Sequence, residues 1–189
     1  MNTSSTSGEH GFSILEVLMA TTVLTVGIAA LAQLFALSTR ANVSAKVTTA
    51  ASVLAQQKME QLRGLTWGFD VVGLPLSDYS TNVTVASETP SDGVGLTPSP
   101  AASLEENTEG YCDFLDRYGN SLGGGESAPS GTAYVRRWSI EPLPSNPDNT
   151  LILQVLVTPP KDRGADPAVS TRRLPDEARI ISVKTRKAQ

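Results

Sequence analysis

Few side chains in this sequence are equipped for chemistry. The 189-residue chain holds one histidine, His10, and one cysteine, Cys112. Imidazole general-base catalysis, a Cys/His nucleophile pair and a histidine-bound metal would each need His10, which lies in a short polar N-terminal stretch. A single cysteine cannot form an internal disulfide framework, and Cys112 reads as a free or partly buried thiol. Asp113 and Asp116, with Glu105, Glu106 and Glu109, form the one concentration of carboxylates. The alternating acids before a glycine that define an EF-hand loop are missing, so this stretch reads as a solvated acidic loop.

Glu16 is different. It is the one formal charge in the run Phe12 to Leu37, FSILEVLMATTVLTVGIAALAQLFAL, which is about long enough to cross a bilayer core. A carboxylate in such a run costs several kcal/mol unless it has a partner or sits at the interface with water. The run follows a small polar stretch without periodicity, residues 1–11 (MNTSSTSGEHG). Gly27, within the run, reads as a tolerated glycine rather than a helix-packing site.

The elements that position these residues follow from periodicity. From Ser38 to Arg63 the chain turns polar but keeps a helical repeat: Val43, Val47, Ala50 and Leu54 make a stripe, widened by Ala51, Ala55 and Leu62. Arg40, Lys46, Gln57 and Gln61 surround it. No proline precedes Pro75, and Gly64 after Arg63 reads as a C-cap. One helix from Phe12 to Arg63 would be about 75 Å long. Its first half, apolar all round, needs lipid or other helices; its second half, apolar on one side, needs one packed partner.

Beyond Gly64 the period changes. Val83 and Val85 suggest a short strand, Tyr134 to Ile140 and Arg179 to Thr185 two longer ones, and Leu151 to Thr158 (LILQVLVT) the strongest. Pro142, Pro144, Asn146, Pro147 and Asp148 supply the turn between the central pair. Residues 86–132 are rich in Ser, Pro and Gly, with a short strand or edge hairpin expected around Tyr111 to Leu122. The expected fold class is α+β, a long N-terminal helix whose distal half is covered by an antiparallel sheet. A hydrophobic share of 40% excludes a multi-span membrane protein, and a net charge of −4 gives no basic surplus for nucleic acid.

Gly11-Phe12-Ser13-Ile14-Leu15-Glu16, followed by Val17-Leu18, resembles the prepilin cleavage and methylation motif of type IV pilins and type II secretion pseudopilins. With the helix behind it, the likeness reaches about a third of the chain. Ala55-Gln56-Gln57-Lys58-Met59-Glu60-Gln61-Leu62-Arg63 is similar to the helix end of minor pilins called type IV pilus modification proteins, and of minor pseudopilins. The resemblance implies cleavage between Gly11 and Phe12 by a prepilin peptidase and N-methylation of Phe12. It gives Glu16 an assembly role as partner of a neighbouring Phe12 amine. It further implies four regions: a leader at 1–11, a transmembrane and filament-core helix at 12–37, its amphipathic continuation at 38–64, and a β-rich extracytoplasmic head at 65–189.

The implied function is that of a non-enzymatic minor pilin or minor pseudopilin, without cofactor, metal or catalytic residues. It would be held in the cytoplasmic (inner) membrane and then drawn into a pilus or periplasmic pseudopilus. The implied partners are the prepilin peptidase, other pilin or pseudopilin subunits, the inner-membrane assembly platform and membrane lipid, with no nucleic acid. The leader departs from the family in carrying no Lys or Arg, so an N-in orientation rests on the resemblance. Two alternatives use the same residues. One is a secreted protein whose signal peptide is cut near Ala32, after Ala30-Leu31-Ala32; the other is a bitopic membrane-anchored binding protein.

Overall fold

The structure, a computed structural model, describes residues 11, 13–85, 87–160 and 176–186. Its first element is α1, Ile14–Gly64, and the chain divides into two compact units, Met1–Val43 and Ser44–Gln189.

In the first unit, Ser13 starts the helix. Its backbone carbonyl accepts from Val17 N at 3.2 Å and its Oγ from Leu15 N at 3.3 Å, which satisfies one of the donors a helix start leaves free. Every described residue from 14 to 43 is exposed. The threonines in this apolar stretch hide their hydroxyls in the helix itself. Thr21 and Thr22 donate to Leu18 O, and Thr25 donates to Thr21 O at 2.7 Å. The segment is long and apolar enough to cross a membrane.

In the second unit α1 buries Ala51, Leu54, Ala55, Lys58, Met59 and Leu62. The spacing is the three-and-four repeat of one helix face. The expected stripe holds at Leu54, Ala51, Ala55 and Leu62; Val43, at 58% exposure, lies outside it, and Lys58 and Met59 belong to it. Against this face lies an antiparallel sheet. Short strands come first: β1 (Trp67–Phe69) pairs with β2 (Pro75–Ser77), and β3 (Thr81–Asn82) with β4 (Thr89–Asp92). Strands β5 (Cys112–Leu115), β6 (Tyr134–Pro142), β7 (Thr150–Thr158) and β8 (Ala178–Thr185) then form the main sheet in sequential order. The ladder sets Trp138 opposite Val155 and Ile140 opposite Leu153, so alternate residues of the two longest strands share the inner face. These four are fully buried with Leu54, Ala55, Met59 and Leu62 in one cluster. The α+β arrangement expected from the sequence is thus present.

Three local expectations need correction. The strand expected at Val83 and Val85 is instead β3 at Thr81–Asn82. Asn82 Oδ1 accepts from Thr84 N at 2.9 Å, a local turn that ends the strand before Val83. Gly64 is the last helical residue rather than a left-handed cap, and it is not among the positive-φ glycines. The final carbonyls are met by a side chain: Lys184 of β8 donates to Arg63 O and Leu65 O at 2.5 Å and approaches Leu62 O at 3.5 Å. The acidic loop is the third case, because Asp113 lies within β5 and is wholly buried.

Candidate functional site

Two groups of residues carry the chemistry, one at the start of α1 and one inside the second unit. At the start, Gly11 is exposed, and a Cβ placed on it would meet no described atom within 4 Å. The described fold therefore makes no demand for glycine there. Glu16 is exposed in the first turn of α1, where the positive end of the helix dipole favours an acid. The sequence Ser13-Ile14-Leu15-Glu16 also has the spacing of a capping box, although Glu16 forms no ion pair among the described residues. Residues 1–10, His10 among them, and Phe12 lie outside the described residues. Gly27 likewise has open space around it.

Inside the second unit, the register of the sheet creates a centre that periodicity alone did not reveal. Asp113 of β5 stands directly opposite Arg136 of β6, both on the inner face. Arg136 forks onto the carboxylate, Nε to Oδ1 at 2.9 Å and Nη2 to Oδ2 at 2.7 Å, and its Nη1 donates to Leu54 O of α1 at 3.0 Å. Lys58 of α1 places Nζ 3.0 Å from Asp113 Oδ2 and 4.4 Å from the centre of the Trp138 ring, and donates to Val83 O. Exposure is 0% for Lys58 and Asp113 and 2% for Arg136. Two cations thus share one carboxylate. Burial is the main cause that brings the Lys58 pKa from 10.5 down to about 8; the Asp113 charge opposes this and Arg136 adds to it.

This arrangement can tie but cannot turn over. No substrate reaches atoms this enclosed, and each cation is spent on the carboxylate and on backbone carbonyls of α1 and of the loop after β3. The cluster joins helix, sheet and loop. The signal for it was present in the alternation Tyr134, Arg136, Trp138, Ile140, which puts an arginine on an inner face where only a paired charge is tolerated.

The other carboxylates and the thiol are structural or solvated. Asp116 Oδ1 accepts from Tyr118 N and Asn120 N, shaping the turn that lets Leu115 bridge Ser121. Hydrogen bonding, first from the Asn120 side chain, holds its carboxyl below the usual range. The expected hairpin around 111–122 is therefore present at the sheet edge. Glu105, Glu106 and Glu109 are exposed. Cys112 is free and buried, with Sγ 3.0 Å from Gly125 O, and burial pushes its thiol up, away from the reactive thiolate. No group of three potential metal ligands occurs among the described residues. Comparison with family models, curated proteins and solved structures finds no match to this chain.

Proposed function

We propose that the chain is a minor pilin-like or pseudopilin-like subunit, held in a membrane by the first half of α1 and assembled into a filament through that same half. The observation that carries this reading is the apolar run that ends at Leu37, which lies within a helical stretch, 14–43, exposed along its whole length, and is opened by Gly11 and Glu16. Apolar surface on every side of a helix needs lipid before assembly and packed helices after it. The second unit supports the reading from the other end, because it satisfies its own core and leaves α1's first half to other partners.

In this account each N-terminal residue has one task. Gly11 gives a membrane peptidase the small residue it requires, Phe12 becomes the methylated N-terminus, and Glu16 meets the Phe12 amine of a neighbouring subunit. In a dry filament core that pair fixes axial register, since one register alone leaves no charge unpaired. The partners are the peptidase, sister subunits and the membrane assembly platform.

Two substitutions separate processing from assembly. Glu16→Ala should be cleaved normally yet be recovered poorly in sheared filaments, with a loss of about 3–5 kcal/mol if the pair is dry. Gly11→Val should accumulate uncut in the membrane. Incorporation of Glu16→Ala at the wild-type level would reduce Glu16 to a helix-start residue and overturn the register argument.

A further inference from the structure

Strand β8 ends the main sheet, and no described strand pairs with its outer side. Its ladder with β7 shows which backbone groups are spare. Arg186 N donates to Asn149 O at 2.9 Å, one step beyond the Thr150–Thr185 pair. Positions 180, 182 and 184 are therefore in phase with the bonds to β7, whereas 179, 181, 183 and 185 turn N–H and C=O away from it. Those same four side chains are the exposed ones, Ile181 at 59% and Val183 at 58%. Toward the strand's end β1 comes alongside, and Val183, Lys184 and Thr185 share with Trp67, Phe69 and Leu76 the walls of a groove of about 510 Å³.

Among the described residues, positions 179–183 thus form an open pairing edge. Sheet proteins usually blunt such an edge with a bulge, a proline or an inward charge. Strand β8 pairs with β7 without a register shift and contains no proline, and its one inward charge, Lys184, lies at the β1 end beyond positions 179–183. Its charge selects the occupant. Arg179, Lys184 and Arg186 are the ionisable residues of 178–186, with no acid among them, in a chain of net charge −4. A second copy laying its own β8 here would bring cations against cations, which disfavours that pairing.

We propose that the free edge of β8 accepts an extended, acidic segment of a different polypeptide as an added strand. Apolar residues of the incoming strand meet Ile181 and Val183, and an acidic residue at its end meets Arg179, the exposed cation of the strand, while Lys184 stays on the carbonyls that end α1 and Arg186 on the Trp67 ring. Backbone bonds supply affinity, and the alternating side chains with their end charges supply selectivity. This stands independently of the filament reading, since it uses neither the leader nor Glu16.

The test uses the full-length chain in detergent and a fluorescent heptapeptide, Glu-Thr-Val-Thr-Val-Thr-Glu, followed by anisotropy. The glutamate peptide should bind, its lysine-ended counterpart at least about ten-fold more weakly. Methylating the two valine amides should abolish binding to the unaltered protein, which settles the backbone contribution whatever the protein variants do. Ile181→Pro removes an N–H that β7 does not use, so it should lose the peptide while retaining cooperative unfolding. Arg179→Glu should narrow the preference for the acidic peptide. Absence of binding, equal binding of both end charges, or binding that survives N-methylation would overturn the proposal. So would sedimentation showing self-association that Ile181→Pro abolishes, because the occupant would then be a second copy.

Discussion

Lys58, Asp113 and Arg136 place two cations and one anion where water does not reach, and that imbalance has a measurable sign. Asp113→Asn leaves both cations without their carboxylate and should cost about 3–5 kcal/mol, whereas Lys58→Met leaves the forked Arg136–Asp113 pair intact and should cost at least about 2 kcal/mol less. Urea unfolding of the two variants checks the order. The pH dependence follows from the depressed Lys58 pKa. Between about 8 and 10.5 the unfolded chain holds a proton on Lys58 that the folded chain has released, so stability attributable to this residue rises with pH through that window. Measured as wild type minus Lys58→Met, the gain should be on the order of 3 kcal/mol from pH 7 to 10.5. A flat difference would show that Lys58 stays protonated in the folded chain. The sequence pointed away from this centre because Asp113 neighbours truly solvated acids, and a lysine in a helix is ordinarily a surface residue. Only the pairing of β5 with β6 reveals that Asp113 faces Arg136.

Among the elements, the ones visible in advance were those with a strong period. α1 declared itself by an apolar run that becomes a one-sided stripe, and β6, β7 and β8 by alternation and β-branched residues. Strands β1 to β4, of two to four residues each, carry too few side chains for a period to stand out, and local turns such as the one at Asn82 decide where they stop. The end of α1 shows why a single residue can mislead. Gly64 has the right place for a left-handed cap, yet it is helical, and Lys184, far away in sequence, meets the carbonyls. Gly64→Ala should therefore stabilise by about 0.4–1 kcal/mol, because alanine suits a helical position and its Cβ has open space. Lys184→Met should destabilise by about 1–2 kcal/mol. Thermal melts of both variants separate the two capping arrangements, and a destabilising Gly64→Ala would restore the glycine cap.

At the scale of the whole molecule, the chain divides into a unit whose helix is exposed throughout and a unit with its own buried core. A fragment beginning at Ser38 retains all of the second unit and should be soluble and monomeric with one cooperative transition. A fragment beginning at Leu65 removes Leu54, Ala55, Met59 and Leu62 from the inner sheet face and should fail to fold. Cooperative unfolding of the Leu65 fragment would show that α1 is dispensable to this core. The processing of the first stretch can be read directly as mass. Chain isolated from membranes should begin at Phe12 and carry one added methyl on its amine, as determined by intact-mass measurement and N-terminal sequencing. A chain beginning at Gln33 would contradict the central claim, since the apolar stretch would then be a discarded signal peptide and not the assembly element of a filament.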